Sequence, residues 1–107
     1  MNVTIRVVHP DAVSALPYAK QDMFADVLYF NQELNDRQSK ILEETSVDLI
    51  DLTVGLRGTF YLPDQLYHSG IQLRRAYPEV DAFFAAKKKY DPDGLFSNQF
   101  YEKYGDT

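Results

Sequence analysis

The sequence predicts an α+β fold: a small antiparallel sheet of two to three strands, covered on one face by helices, with a long central helix and an aromatic hook at the C-terminal end. Three observations predict it. Two proline-free stretches, Asn2–Val8 and Phe24–Asn31, are built from strand-forming residues. Residues 36–57 repeat apolar side chains at helical spacing. Beyond a short third strand the pattern stays helical to the end, giving the order β, β, α, β, α, α, α. At 107 residues the chain reads as one domain spanning 1–107.

Within Asn2–Val8, Val3, Ile5 and Val7 alternate with Thr4, Arg6 and Val8, the period of a strand. His9-Pro10-Asp11 breaks it, and residues 12–22, with Pro17, read as a loop, with or without one helical turn. Phe24, Val27, Tyr29 and Phe30 mark the second strand, for which antiparallel pairing with the first is the simplest arrangement. Asn35 or Asp36 then caps the longest helix, about 33 Å at 1.5 Å per residue. Ile41, Thr45, Leu49, Leu52 and Leu56 step by four, four, three and four and mark the face expected to be buried. Gly58 suits the position just beyond the helix end. Thr59–Leu62 is expected as the third strand, stopped by Pro63. Residues 64–76 read as helix in one or two pieces jointed at Gly70, with Leu66, Ile71 and Leu73 inward.

From Tyr77 to Tyr104 the chain predicts a helix, a stop and a hook. Pro78 has its φ preset and suits a first helical turn. Glu79 and Asp81 sit at the positive end of the helix dipole and Lys87, Lys88 and Lys89 at the negative end. Val80, Phe83 and Phe84, with the stem of Lys87, form the apolar face. Asp91-Pro92-Asp93-Gly94 ends the helix, because the residue before proline avoids the α region and Asp-Gly favours a turn. Leu95 and Phe96 are expected to bury. Ser97 is expected to cap a last short helix carrying Phe100, Tyr101 and Tyr104, closed by Gly105.

Net charge is −5 and unevenly placed: nine acidic and four basic residues fall in 1–53, seven of each in 54–107. An acidic front half argues against nucleic acid, which demands a basic stripe. The chain has no cysteine, so disulfides and thiolate metal sites are excluded. No apolar run reaches the roughly 20 residues that span a bilayer, and the location expected is cytoplasmic, without membrane contact. His9 and His68 lie too far apart in sequence for a ligand pair, so no metal is expected. No nucleophile motif appears, and the five glycines are isolated rather than clustered into a phosphate cradle.

Phe83, Lys87, Tyr90-Asp91-Pro92, Gly94-Leu95-Phe96 and Asn98 together resemble the carboxy-terminal signature of FAD-linked oxidases of the vanillyl-alcohol oxidase superfamily. Asn2-Val3-Thr4-Ile5-Arg6, Val27-Leu28-Tyr29-Phe30-Asn31 and Tyr61-Leu62-Pro63 follow the family's order, so the resemblance spans nearly the whole chain. It covers only the last part of the substrate (cap) domain. The flavin-binding domain has no counterpart here, and FAD is expected only where such a domain is supplied. The resemblance implies a C-terminal fragment or separately encoded subunit of an FAD-dependent oxidoreductase, inactive alone, or a tail-like domain without redox activity. Met1 directly before a strand fits a truncated or split frame better than a complete enzyme.

In such an enzyme the cap sheet faces the flavin ring, and the domain positions an alcohol or hydroxy-acid-like substrate for hydride transfer. The resemblance makes Arg6, Tyr29, Asn31, Tyr61 and His68 the candidates facing substrate or flavin. Arg6 would stabilise a developing anion, or else is a strand arginine facing solvent. Tyr29 and Asn31 share one strand face, with packing as the other role for Tyr29. His68 is an acid/base candidate or a helix-surface histidine. The hook aromatics Tyr90, Phe96, Phe100, Tyr101 and Tyr104 fill core, or form a patch that meets the flavin-binding domain or a second copy. The alternative from another class is a free-standing interaction module that binds a protein through its acidic helix or aromatic hook. An acidic domain binding an amine is a third reading with no motif behind it.

Overall fold

A computed structural model of the chain describes residues 2–29, 33–63 and 65–106. They form β1 (Asn2–Val8), β2 (Met23–Tyr29), α1 (Asp36–Gly55), α2 (Gly70–Ala76), α3 (Val80–Tyr90) and α4 (Gln99–Tyr104). This is an α+β fold with one two-stranded antiparallel sheet. The β2 range stops at Tyr29; the expected continuation through Phe30 and Asn31 lies outside the described residues.

The register sets Asn2 opposite Tyr29, Arg6 opposite Ala25 and Val8 opposite Met23. Side chains alternate between faces. One face therefore carries Thr4, Arg6, Val8, Met23, Ala25, Val27 and Tyr29, and the other Val3, Ile5, Val7, Phe24, Asp26 and Leu28. The chain partly covers the first: Ala25 is buried, Thr4, Val8, Met23 and Val27 are half-buried, and Asn2, Arg6 and Tyr29 are exposed. The more apolar face is open, with Ile5 66% and Phe24 71% exposed. Helices do not cover it because their contacts run to one another, α1 to α2 and α2 to α3.

The connection between the strands joins sheet to helices. Asp11 N–H donates to Ala19 O, and Ala19 is buried. Leu16 packs on the core, Tyr18 O accepts the Thr59 hydroxyl, and Lys20 pairs with Glu79 at 2.9 Å.

α1 starts where expected. Asn35 Oδ1 accepts from Gln38 N–H at 2.9 Å, and Gln38 Oε1 accepts from Asn35 N–H at 3.0 Å, a reciprocal capping box. Its buried face is not the one expected. No α1 side chain is fully buried, and Ile41, Thr45, Leu49, Leu52 and Leu56 are all exposed. The half-buried positions are Leu42, Ser46, Val47, Ile50, Thr53 and Val54, one residue further round. Two causes are visible. Ser46 and Thr53 bond the carbonyls of Leu42 and Leu49, which makes their burial cheap. The contact with α2 is polar, through Gln72 Nε2 to Asp51 Oδ1 (2.9 Å) and to Val47 O (3.2 Å). α1 closes with Gly58 N–H on Thr53 O and Arg57 N–H on Val54 O, the paired bonds of a Schellman turn. The left-handed position is taken by Arg57 (φ 62°), one residue before Gly58.

Thr59–Leu62 is not a strand, which corrects the expected third one. One ladder acceptor is taken by a side chain, Phe60 O accepting from Tyr77 Oη at 2.6 Å, and the Thr59 hydroxyl donates to Tyr18 O. Among the described residues of 64–76, helix is confined to α2. Ser69 caps it with a second capping box to Gln72, so Gly70 is the first helical residue and no joint. Leu73 is fully buried as expected, whereas Ile71 is 73% exposed.

α3 begins at Val80, after a turn through Pro78 and Glu79, so Pro78 precedes the helix. Its apolar face is the expected one, with Val80 and Phe84 buried and Phe83 and Lys87 half-buried. α4 is capped by Asn98, whose Oδ1 accepts Tyr101 N–H at 2.9 Å; Ser97 bonds Glu102 instead. Leu73, Ala76, Tyr77, Val80, Phe84 and Tyr104 make the core, flanked by Phe60, Phe100 and Tyr101. Among the described residues no helix is long and apolar enough to cross a membrane.

Candidate functional site

The signature residues at the end of α3 build one ordered turn. Lys87 and Asp91 form an ion pair a helical turn apart, with side chains only 17% and 13% exposed. The same carboxylate accepts Leu95 N–H at 2.9 Å and Phe96 N–H at 3.0 Å. Lys87 first, then these two amides, push the Asp91 carboxyl down to about 2. Gly94 takes φ 65°, which its lack of a Cβ permits. Lys87 also lies 4.8 Å from the Tyr101 ring centroid, tying the turn to α4. With the backbone so constrained, Tyr90, Leu95 and Phe96 project outward at 78–81% exposure. Leu95 and Phe96 therefore do not bury as expected: the turn spends its polar groups on its own amides and has no core beneath it. Of the hook aromatics, Tyr104 is buried, Phe100 and Tyr101 are half-buried against the core, and Tyr90 and Phe96 are at the surface.

His68 is not a helix-surface residue. It is 2% exposed, with its ring stacked on Tyr104 (centroids 4.6 Å, 16°) and against Phe60 (4.6 Å). Tyr104 Oη donates to the His68 carbonyl at 2.6 Å, and Lys103 Nζ to the Leu66 carbonyl. Nε2 has no hydrogen-bond partner among the described residues. Burial, then the nearby Lys103 charge, lower the His68 pKa to about 4. Burial likewise raises the Tyr77 and Tyr104 phenols to about 12. A neutral imidazole held between two rings, out of reach of solvent, is placed for packing rather than proton transfer.

The other candidates are dispersed. Arg6 and Tyr29 share the partly covered sheet face, both exposed, four residues or about 13 Å apart along the strands. Tyr61 is 59% exposed and meets Tyr18 edge-on at 6.1 Å. Asn31 lies outside the described residues. No hydrogen bond, ion pair or ring contact among the described residues joins any two of Arg6, Tyr29, Tyr61 and His68. A shallow cleft of about 320 Å³ between α1 and α2, lined by Val47, Asp51, Tyr67, Gln72 and Arg75 among others, includes none of them. Sequence reasoning missed Gln72 as the link between these helices. The Ser69-x-x-Gln72 spacing, the same box pattern as Asn35-x-x-Gln38, was the available signal. Among the described residues no three His, Asp or Glu side chains gather to hold a metal. No family model, curated protein or solved structure matches the chain.

Proposed function

We propose that the chain is the carboxy-terminal part of the substrate domain of an FAD-dependent oxidoreductase, without activity alone. The observation that carries this reading is the signature turn: Lys87, Asp91 and Gly94 act as one unit whose result is to hold Tyr90, Leu95 and Phe96 out of the core. An ordered turn that exposes three large apolar side chains suits a surface completed by another domain. In the family the chain resembles, this segment returns toward the flavin-binding domain. Among the described residues Gly55, Gly58, Gly70 and Gly94 lie apart, at separate helix ends and a turn, which supports leaving FAD to that other domain. The cofactor is therefore assigned to the other domain, and Arg6 and Tyr29, on the exposed rows of the partly covered sheet face, to the substrate side.

The test is an absorption spectrum of the purified chain alone and after co-expression with whatever frame lies immediately upstream. The expected result is a colourless chain alone and a co-purifying yellow complex absorbing near ~450 nm. Leu95→Glu with Phe96→Glu should then separate the two chains. A colourless protein under both conditions overturns the flavin reading. The open apolar surfaces would then favour the other class, a protein-interaction module without redox chemistry.

A further inference from the structure

The open face of the sheet is a lattice of six side chains in three cross-strand rows: Val3 with Leu28, Ile5 with Asp26, and Val7 with Phe24. Five are apolar and exposed by 40–71%, together a patch of roughly a few hundred Å², the size that marks interaction sites. The sixth, Asp26, occupies the middle row, with Phe24 and Leu28 before and after it on its own strand. Neither strand places a lysine or arginine on this face, and Asp26 has no ion-pair partner among the described residues. Its charge is felt by Tyr18, whose phenol is raised by burial first and by Asp26 second.

A carboxylate in the centre of an apolar patch restricts what can cover it. Any occupant that excludes water from Phe24 and Ile5 also desolvates Asp26, and an enclosed carboxylate without a cation is strongly unfavourable. A second copy laid face to face would enclose two carboxylates and no cation. From this charge pattern we infer that the face docks an amphipathic helix of a partner protein, with an apolar stripe interrupted by one lysine or arginine set over Asp26. Strands of seven residues are about 23 Å long. A helix of about 15 residues matches that length. The apolar rows would supply contact area, and the central pair would fix the partner's register and exclude acidic competitors. A colourless assembly would satisfy this equally, so it stands apart from the flavin reading.

The test uses the full chain and two designed helical peptides of about 15 residues with a leucine stripe, identical but for a central lysine or glutamate. Amide shifts in ¹H–¹⁵N spectra should fall on β1 and β2, and the lysine peptide should bind at least about tenfold tighter. Asp26→Lys should reverse that order. Equal affinity for the two peptides, or shifts confined to other elements, overturns the inference. So does a concentration-dependent dimer in sedimentation that Ile5→Glu abolishes, since the occupant is then a second copy. The peptide exchange on the unaltered chain decides the matter even if Asp26→Lys fails to fold.

Discussion

Lowering the pH from 7 to 5 should cost this fold about 2 kcal/mol through one residue, His68. The cause is geometric: the ring is enclosed by Phe60 and Tyr104, and among the described residues Nε2 has no hydrogen-bond partner. The unfolded chain protonates this imidazole near 6.5, the folded chain only near 4. Between those values the unfolded state binds more protons, so stability rises with pH across the window. It is complete above the unfolded value and lost as pH falls toward the folded one. At 1.36 kcal/mol per pH unit, the full difference is on the order of 3 kcal/mol, of which about 2 is spent by pH 5. Asp91, held down to about 2, titrates below its ordinary 3.8 and does not enter this range. Urea denaturation of the unaltered chain and of His68→Phe at both pH values measures the effect. The phenyl ring keeps the stack but cannot charge, so its loss between pH 7 and 5 should be smaller by about 2 kcal/mol. Equal losses in the two proteins would refute the assignment.

Two further outcomes follow from the geometry. Gln72→Ala removes the bonds to Asp51 and Val47 and the cap on Ser69 N–H, and should cost about 2 kcal/mol in urea denaturation, with α1 the first helix to lose amide protection. Gly94→Ala meets no neighbour within 4 Å but must adopt φ 65°, so about 1 kcal/mol should be lost by thermal melting while the contacts of the turn survive.

What the sequence made legible was local chemistry. The Asn35 cap, the apolar face of α3, the Asp91-Pro92-Asp93-Gly94 stop and the closing Gly105 depend on near neighbours, and each is present. What it concealed was set by distant contacts. α1 carries two apolar stripes one residue apart, and the remote Gln72, together with the Ser46 and Thr53 back-bonds, decides between them. The strands alternate as read, but which face is covered depends on how the rest of the chain folds back on them. Thr59 and Phe60 have strand composition, yet Tyr77 claims the Phe60 carbonyl and the Thr59 hydroxyl ties to Tyr18 O. His68 reads as an ordinary polar residue until Tyr104, 36 positions later, closes over it. Among the site candidates, the pairing register puts Arg6 and Tyr29 on the partly covered sheet face, while Tyr61 and His68 lie elsewhere.

The connection between β1 and β2 has the look of dispensable loop, with neither helix nor strand in it. It nevertheless holds the clasp of the molecule: Leu16 packs on the helical core, Tyr18 O holds the Thr59 hydroxyl and Lys20 pairs with Glu79, while the strands grip mainly one another. The usual economy of protein trimming is therefore inverted. Shortening this segment to a tight hairpin turn would leave both strands able to pair and the aromatic core intact, yet set the two halves adrift. A cut there by a protease would do the same without removing a residue of sheet or core.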